Sequence, residues 1–393
     1  MKALLNPSVI PLSLYIHFPW CIRKCPYCDF NSHELKGEID ERRYLDTLKA
    51  DLLDDLSIHA LINSDAGKNR KIDSIFLGGG TPSLFSAGSI AELIEFVKDN
   101  LESAPDLEVT LEANPGALEH SKFEFYLEAG VNRLSLGVQS FNDDCLKKLG
   151  RIHNANNARN AITQAQSAGF TNINLDIMYG LPGQTIEQLR KETNEAANFD
   201  TSHLSFYQLT LEPNTLFHKH PPKLPDDDSV MEMQEFLTSR LSLSGFERYE
   251  VSAYSQRNRQ CRHNLNYWNF GDYLGIGAGA HSKLTTKAGI VRNWKEKQPR
   301  AYMTKLENGN NRSNTTNVAP QSLPFEFMLN ALRLRKGFHL DTFESRTGLP
   351  SNVAIAALEQ TINQNLICVK NKTVSCTERG YLFIDEILQQ LLP

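Results

Sequence analysis

The sequence predicts an α/β protein: a partial (β/α) barrel followed by a small C-terminal α+β module of winged-helix-like type. Three observations carry that prediction. Short apolar runs alternate with amphipathic helical stretches between Leu12 and Leu209, the pattern of parallel sheets. Polar residues stand at the ends of successive runs, where such barrels gather their chemistry. A polar, Asn-rich stretch then sets the last part of the chain apart.

The chain has 393 residues, more than one core usually serves, since single cores stop growing beyond about 250–300 residues. Residues 1–306 are expected to form the barrel, 307–320 a linker and 321–393 the C-terminal domain.

Leu12–Phe18 reads as the first strand. In Glu41–Ile62, Leu45, Leu48, Leu52, Leu53 and Leu56 recur at helical spacing. Ile72–Leu77 is the second strand and runs into Gly78-Gly79-Gly80-Thr81-Pro82. Without side chains, that run either lets backbone approach a ligand or makes a tight turn. Glu108–Ala113, Arg133–Gln139, Asn172–Met178 and His203–Leu209 follow as the third to sixth strands, with Glu112, Gln139 and Asp176 at or near their ends. Each such residue alone could be a solvated strand end; together at one barrel mouth they suit a ligand with hydroxyls and a cationic centre.

Gly271–Ser282 is glycine-rich but lacks the strand-to-helix setting of a phosphate loop, so it reads as close-packed backbone near the mouth. In the linker, Asn308-Gly309-Asn310-Asn311-Arg312 has the composition of an exposed loop. Beyond it Pro324–Leu334, Phe343–Gly348 and Ala354–Gln364 read as helices, and Ile367–Val369 with Thr373–Ser375 as a hairpin. Cys368 and Cys376 are expected to face each other or the core of that hairpin.

A net charge of −5 gives no electrostatic footprint for nucleic acid. No apolar run reaches the roughly 18 residues that span a bilayer, and the opening Met1-Lys-Ala-Leu-Leu-Asn-Pro7 is broken too soon for a secretory signal. Seven cysteines without disulfide-like spacing fit a reducing compartment, so a cytoplasmic protein is expected. Weak membrane association and a homodimer both remain open.

Chemistry concentrates just after the first strand, where Cys21, Cys25 and Cys28 stand in a C-x3-C-x2-C pattern. Iron-sulfur clusters normally take one cysteine per iron, so a triplet leaves one iron able to accept an exchangeable ligand. Structural zinc would want a second C-x2-C or a His-x3-5-His, and neither is present. The remaining cysteines, Cys145, Cys261, Cys368 and Cys376, are scattered.

This triplet, with Tyr27 just before its last cysteine, resembles the signature of the radical S-adenosylmethionine (SAM) superfamily. The resemblance implies a 4Fe-4S cluster on the three cysteines, with SAM chelating the open iron. Gly-Gly-Gly-Thr-Pro then resembles the segment that binds the SAM amine. Tyr15, Gly79, Gly80, Thr81, Glu112, Gln139, Arg151 and Asp176 are similar, in identity and spacing, to the SAM contacts of the oxygen-independent coproporphyrinogen III oxidase branch. Tyr27 joins them through its backbone.

Two departures separate the chain from the oxidases themselves. Phe30 stands where they carry a fourth cysteine, and only 14 residues precede Tyr15, short of their N-terminal segment. Instead, His263-Asn264-Leu265-Asn266-Tyr267-Trp268 resembles the haem-binding motif of the HemW family, haem chaperones related to those oxidases. Neutral imidazole is a common axial haem ligand, and Tyr267 and Trp268 offer flat surface for a porphyrin. Taken alone, His263 would read as an ordinary structural histidine, and Cys261 is left unassigned. The resemblance therefore implies haem and acceptor haemoproteins as partners. Two functions follow: a haem-delivering chaperone, or a radical enzyme acting on a porphyrin. The chaperone is favoured, with the enzymatic question open because the SAM-cleavage residues are all present.

Overall fold

Alternation along the strands decides which face of the sheet meets helices. In β1 (Leu12–Phe18), Leu12, Leu14, Ile16 and Phe18 are buried in the main core, whereas Tyr15 and His17 border an internal cavity. Successive side chains in a strand point to opposite faces, so one sequence serves both surroundings. The computed structural model describes residues 5–58, 70–116, 122–309 and 314–392.

Two short strands, β2 (Trp20–Cys21) and β3 (His33–Glu34), pair with each other around the cysteine loop. The barrel continues with β4 (Ile72–Gly79), β5 (Ser103–Ala113), β6 (Arg133–Gln139), β7 (Ile173–Tyr179) and β8 (His203–Gln208). These pair in parallel in the order β1-β4-β5-β6-β7-β8. Helices cross between them, including Glu41–Ile58, Ala87–Asn100, Ala155–Ser167 and Ile186–Ala197. Thr185 starts the last of these with a capping box closed by Gln188, which satisfies two otherwise orphaned N–H groups. Of the helix expected over Glu41–Ile62, residues 59–62 lie outside the described residues, as do 310–313 of the expected linker.

Beyond β8 come β9 (Glu247–Arg248) and β10 (Ala253–Ser255), antiparallel additions at one edge. At the other edge β11 (Asp272–Ile276) lies parallel to β1, and β12 (His281–Thr286), β13 (Gly289–Trp294) and β14 (Asn314–Asn317) extend it antiparallel. The sequence predicts six parallel strands and, in the β11 region, close-packed glycine backbone. Close packing is indeed present: a Cβ on Gly275 would come within 2.0 Å of the His281 carbonyl oxygen. The backbone there is also a seventh parallel strand, and β14 forms inside the segment expected to be a linker.

The C-terminal part holds helices Leu323–Ala331, Leu340–Thr347 and Ser351–Asn363 with β15 (Phe338–His339), β16 (Ile367–Lys370) and β17 (Thr373–Cys376), in the order β15-β17-β16. Phe327, Phe343, Leu358 and Val374 form its core, which closes onto Phe270 and Ile290 of the barrel side. Of the two hairpin cysteines, Cys376 packs against this core as expected, while the expectation for Cys368 is corrected. Cys376 pairs with Ile367 and Cys368 with Ser375, so the two cysteines point to opposite faces, and Cys368 is exposed. Among the described residues no helix is long and apolar enough to cross a membrane.

Candidate functional site

The cysteine loop is pinned by its own backbone. His33 N–H donates to the Pro19 carbonyl at 2.7 Å, Leu35 N–H to the Cys21 carbonyl at 2.8 Å, and Cys28 N–H to the Cys25 carbonyl at 3.2 Å. The three thiols are each half-buried and each has its own polar neighbour. Thr81 Oγ1 lies 3.6 Å from Cys21 Sγ, Arg151 Nη1 3.5 Å from Cys25 Sγ, and Ser32 Oγ 3.5 Å from Cys28 Sγ. Burial pushes the Cys21 thiol up to about 11, against the pull of the Thr81 hydroxyl and the Arg151 cation. No three His, Cys, Asp or Glu side chains among the described residues gather tightly enough for a single ion. A cluster would present a separate iron to each thiolate.

Beside the loop opens a cavity of about 590 Å³. Cys21, Cys25, Cys28, Tyr27, Gly79, Gly80, Thr81, Glu112, Gln139, Arg151 and Asp176 all line it. Residues spread over 155 positions of sequence thus meet at one mouth, because parallel strands end on the same side. Glu112 accepts the Gly79 N–H at 3.0 Å, and burial, then the charge of Asp176, pushes its carboxyl up to about 8. Asp176 accepts from Ser135 Oγ and Asn174 Nδ2, both at 2.8 Å. Arg151 donates to the Gly137 carbonyl at 3.1 Å and to Asn114 Oδ1. Gln139, held by the Tyr207 hydroxyl, sits at φ 65°, a region non-glycine residues rarely occupy and one that clusters at functional sites.

The glycine run has an internal reason as well as a ligand-facing one. A Cβ on Gly79 would meet the His17 ring at 2.5 Å, and one on Gly80 the Trp20 carbonyl oxygen at 2.5 Å. Only bare backbone lets β4 pass this close beneath the cysteine loop.

Tyr15, expected with the cofactor contacts, borders a second cavity instead. Its hydroxyl is 2.9 Å from His17 Nδ1, and its ring centroid 6.3 Å from that of His263. This second space, about 920 Å³, occupies the barrel lumen and shares Gly79, Glu112, Ser135 and Asp176 with the first. His263, Asn264, Tyr267 and Trp268 line it together.

Those four belong to the helix Arg262–Trp268, which plugs the far end of the lumen. The Arg262 and His263 N–H groups donate to Glu108 Oε1 at 3.0 and 3.2 Å, a carboxylate at a helix N-terminus where the dipole favours it. Ser74 and Glu108 align with Ser13 in one row across β1, β4 and β5, five residues below Phe18, or about 17 Å at the usual strand rise.

Both nitrogens of His263 are engaged. Ser74 Oγ donates to Ser13 Oγ and so accepts from His263 Nδ1–H at 2.9 Å, leaving the Nε2 lone pair to the Tyr267 hydroxyl at 3.0 Å. Burial, then Arg133, pushes the imidazole down to about 3, so the ring is neutral. The expected porphyrin face is partly taken: Tyr267 meets His263 and Tyr273 edge-on, and the Arg333 guanidinium lies 4.3 Å over the Trp268 ring. Cys261 is fully buried, its thiol pushed up by burial to about 12 and directed at Glu108 Oε1 at 3.6 Å.

Sequence reading missed Ser135, Asn174, Ser205, Tyr207 and Arg133, which line these cavities. Their signal was present as polar residues at every second position of strands whose other face is apolar.

A family model described as "Radical SAM superfamily" matches residues 15–195, and one described as "HemN C-terminal domain" matches residues 318–383. A protein of Haemophilus influenzae named "Heme chaperone HemW" is 46% identical, over 98% of this chain and 99% of its own. The chain belongs to the HemW family. Other HemW relatives are 43% identical in Escherichia coli, over 97% of this chain and 98% of theirs, and 33% in Bacillus subtilis, over 97% and 99%. The solved coproporphyrinogen III oxidase HemN of Escherichia coli superposes with a TM-score of 0.80 at 21% identity, covering 99% of this chain and 92% of its own, and so shares the fold. The radical SAM part of this HemW-family chain contains the cysteine loop and implies a 4Fe-4S cluster and SAM.

Proposed function

We propose that this chain is a haem chaperone, which binds haem and passes it to acceptor haemoproteins while carrying a SAM-ligated 4Fe-4S cluster. The observation that carries the reading is similarity along nearly the whole chain to proteins named heme chaperone HemW. Phe30, exposed at the junction of both cavities where the oxidases have a fourth cysteine, agrees with it.

Cys21, Cys25 and Cys28 would hold the cluster, with Arg151 and Thr81 placing positive charge and a hydroxyl against two of the sulfurs. Glu112, Gln139 and Asp176 would face SAM from the strand ends, with Tyr27 through its backbone and Gly79 and Gly80 beside them. When bound and reduced, a SAM-ligated cluster of this type supplies an electron that can split the sulfonium. His263 would ligate haem through Nε2, its tautomer set by Ser74, with Asn264, Tyr267 and Trp268 around it. A cytoplasmic setting is part of this reading.

A radical enzyme acting on a porphyrin is the second reading, favoured by the expected SAM contacts other than Tyr15 lining one cavity that shares Glu112 and Asp176 with the lumen. One paired assay separates them. Anaerobically reconstituted protein, loaded with haem, should transfer it to an apo-haemoprotein and leave coproporphyrinogen III unchanged in the presence of SAM and dithionite. Decarboxylated porphyrinogen would overturn the chaperone reading, and loss of the cluster absorption in the Cys21→Ala, Cys25→Ala and Cys28→Ala variants is expected throughout.

A further inference from the structure

Arg133, the first residue of β6, is among the largest side chains buried in the molecule, at 2% exposure, and lines the lumen cavity. Its Nε has no hydrogen-bond partner, and no ion pair within 4 Å or side-chain hydrogen bond from its guanidinium is present among the described residues. The guanidinium is thus left without a protein acceptor beside the lumen that it lines.

Carboxylates nearby do not supply that acceptor. Glu108 and Asp176 act on Arg133 through their charge, but Glu108 is spent on the N–H groups of Arg262 and His263 and Asp176 on Ser135 and Asn174. Counter-charge at a distance keeps the cation tolerable without satisfying its donors. Buried polar groups are almost always hydrogen-bonded, and a guanidinium pairs best with a carboxylate held by two parallel N–H bonds. Around it the walls are aromatic, with Tyr15, Phe76, Tyr267 and Tyr273, and the space of about 920 Å³ matches a sizeable organic ligand.

We propose that Arg133 is the carboxylate-binding residue of the lumen cavity, gripping a propionate of a tetrapyrrole whose ring lies against the aromatic walls. This rests on the haem reading above and deepens it by naming the group that is recognised. It assigns the lumen a preference for free acid over ester, independent of the iron.

The test compares three probes on the full-length protein: haem, metal-free protoporphyrin, and haem with both propionates methylated. Arg133→Met is expected to weaken haem and protoporphyrin about tenfold or more, the value of one lost charge-assisted pair, and to leave the diester unchanged. Arg133→Lys keeps the charge beside Glu108 and Asp176 but not the fork, and serves where the methionine variant fails to fold; it should weaken the two acids and spare the ester. Equal losses for acid and ester, or no loss for either, would overturn the assignment to Arg133 while leaving haem binding intact. Binding of none of the three by the unaltered protein would overturn the haem reading itself and this inference with it.

Discussion

His263 Nε2 lies 3.0 Å from the hydroxyl of Tyr267, one helical turn further along the same helix. The atom expected to bind iron is thus occupied by a neighbour from its own motif. Ligation has to break that bond, and an ordinary buried hydrogen bond is worth about 0.5–1.5 kcal/mol. Tyr267→Phe should therefore tighten haem binding by up to roughly tenfold, read as a Soret titration, whereas His263→Ala should remove the ligated band. Unchanged affinity in Tyr267→Phe would show that Nε2 is not the ligating atom.

Because burial and Arg133 hold the His263 imidazole down to about 3, it accepts a proton more readily in the unfolded chain, where its pKa is about 6.5. The unfolded state then binds more protons between those values, so stability falls as pH drops below about 6.5, at up to about 1.4 kcal/mol per unit. Denaturant melts from pH 7.5 to 5 should show a shallower decline for His263→Gln than for the unaltered chain. Parallel curves would mean that the imidazole takes up its proton in the fold as it does in the unfolded chain.

Glu112 runs the other way. Burial raises its carboxyl to about 8, so the folded state holds a proton that the unfolded chain has given up, and stability falls as pH rises from about 4.5 to 8. Glu112→Gln mimics the protonated form. It should match the unaltered protein at pH 5 and exceed it at pH 9, while weakening SAM at every pH; a variant equally stable across the range would place the carboxylate in solvent.

Glu108 caps the helix that carries His263. Its replacement by Ala leaves two N–H donors and the nearby Cys261 without their acceptor, at an expected cost of about 1–2 kcal/mol. Chemical denaturation checks the stability, and the Soret band of added haem should broaden as the helix loosens. A neutral substitution would show that the lumen's far end is held elsewhere.

Much of this molecule is local and so was legible. Six strands follow from apolar runs, and all but one of the expected cluster and SAM residues meet at one mouth because parallel strands deliver their ends together. Tyr15 is the exception: three residues short of the end of β1, it borders the lumen cavity and not the one beside the cysteine loop. β11 was hidden because glycine-rich backbone carries little periodicity, and its pairing with β1 joins segments some 260 positions apart.

By itself the sequence determined the strand and helix pattern, the cysteine loop and the order of the residues around it, since each is set by spacing along a few turns or a single strand. Only the tertiary structure decided that His263 faces Ser74 and Tyr267, that Arg133 stands with its donors open, and that two cavities share Glu112 and Asp176. Those relations arise when the sheet curls and its polar face turns inward. Which residues then meet across the lumen depends on strand order and register, and neither is written in any one segment.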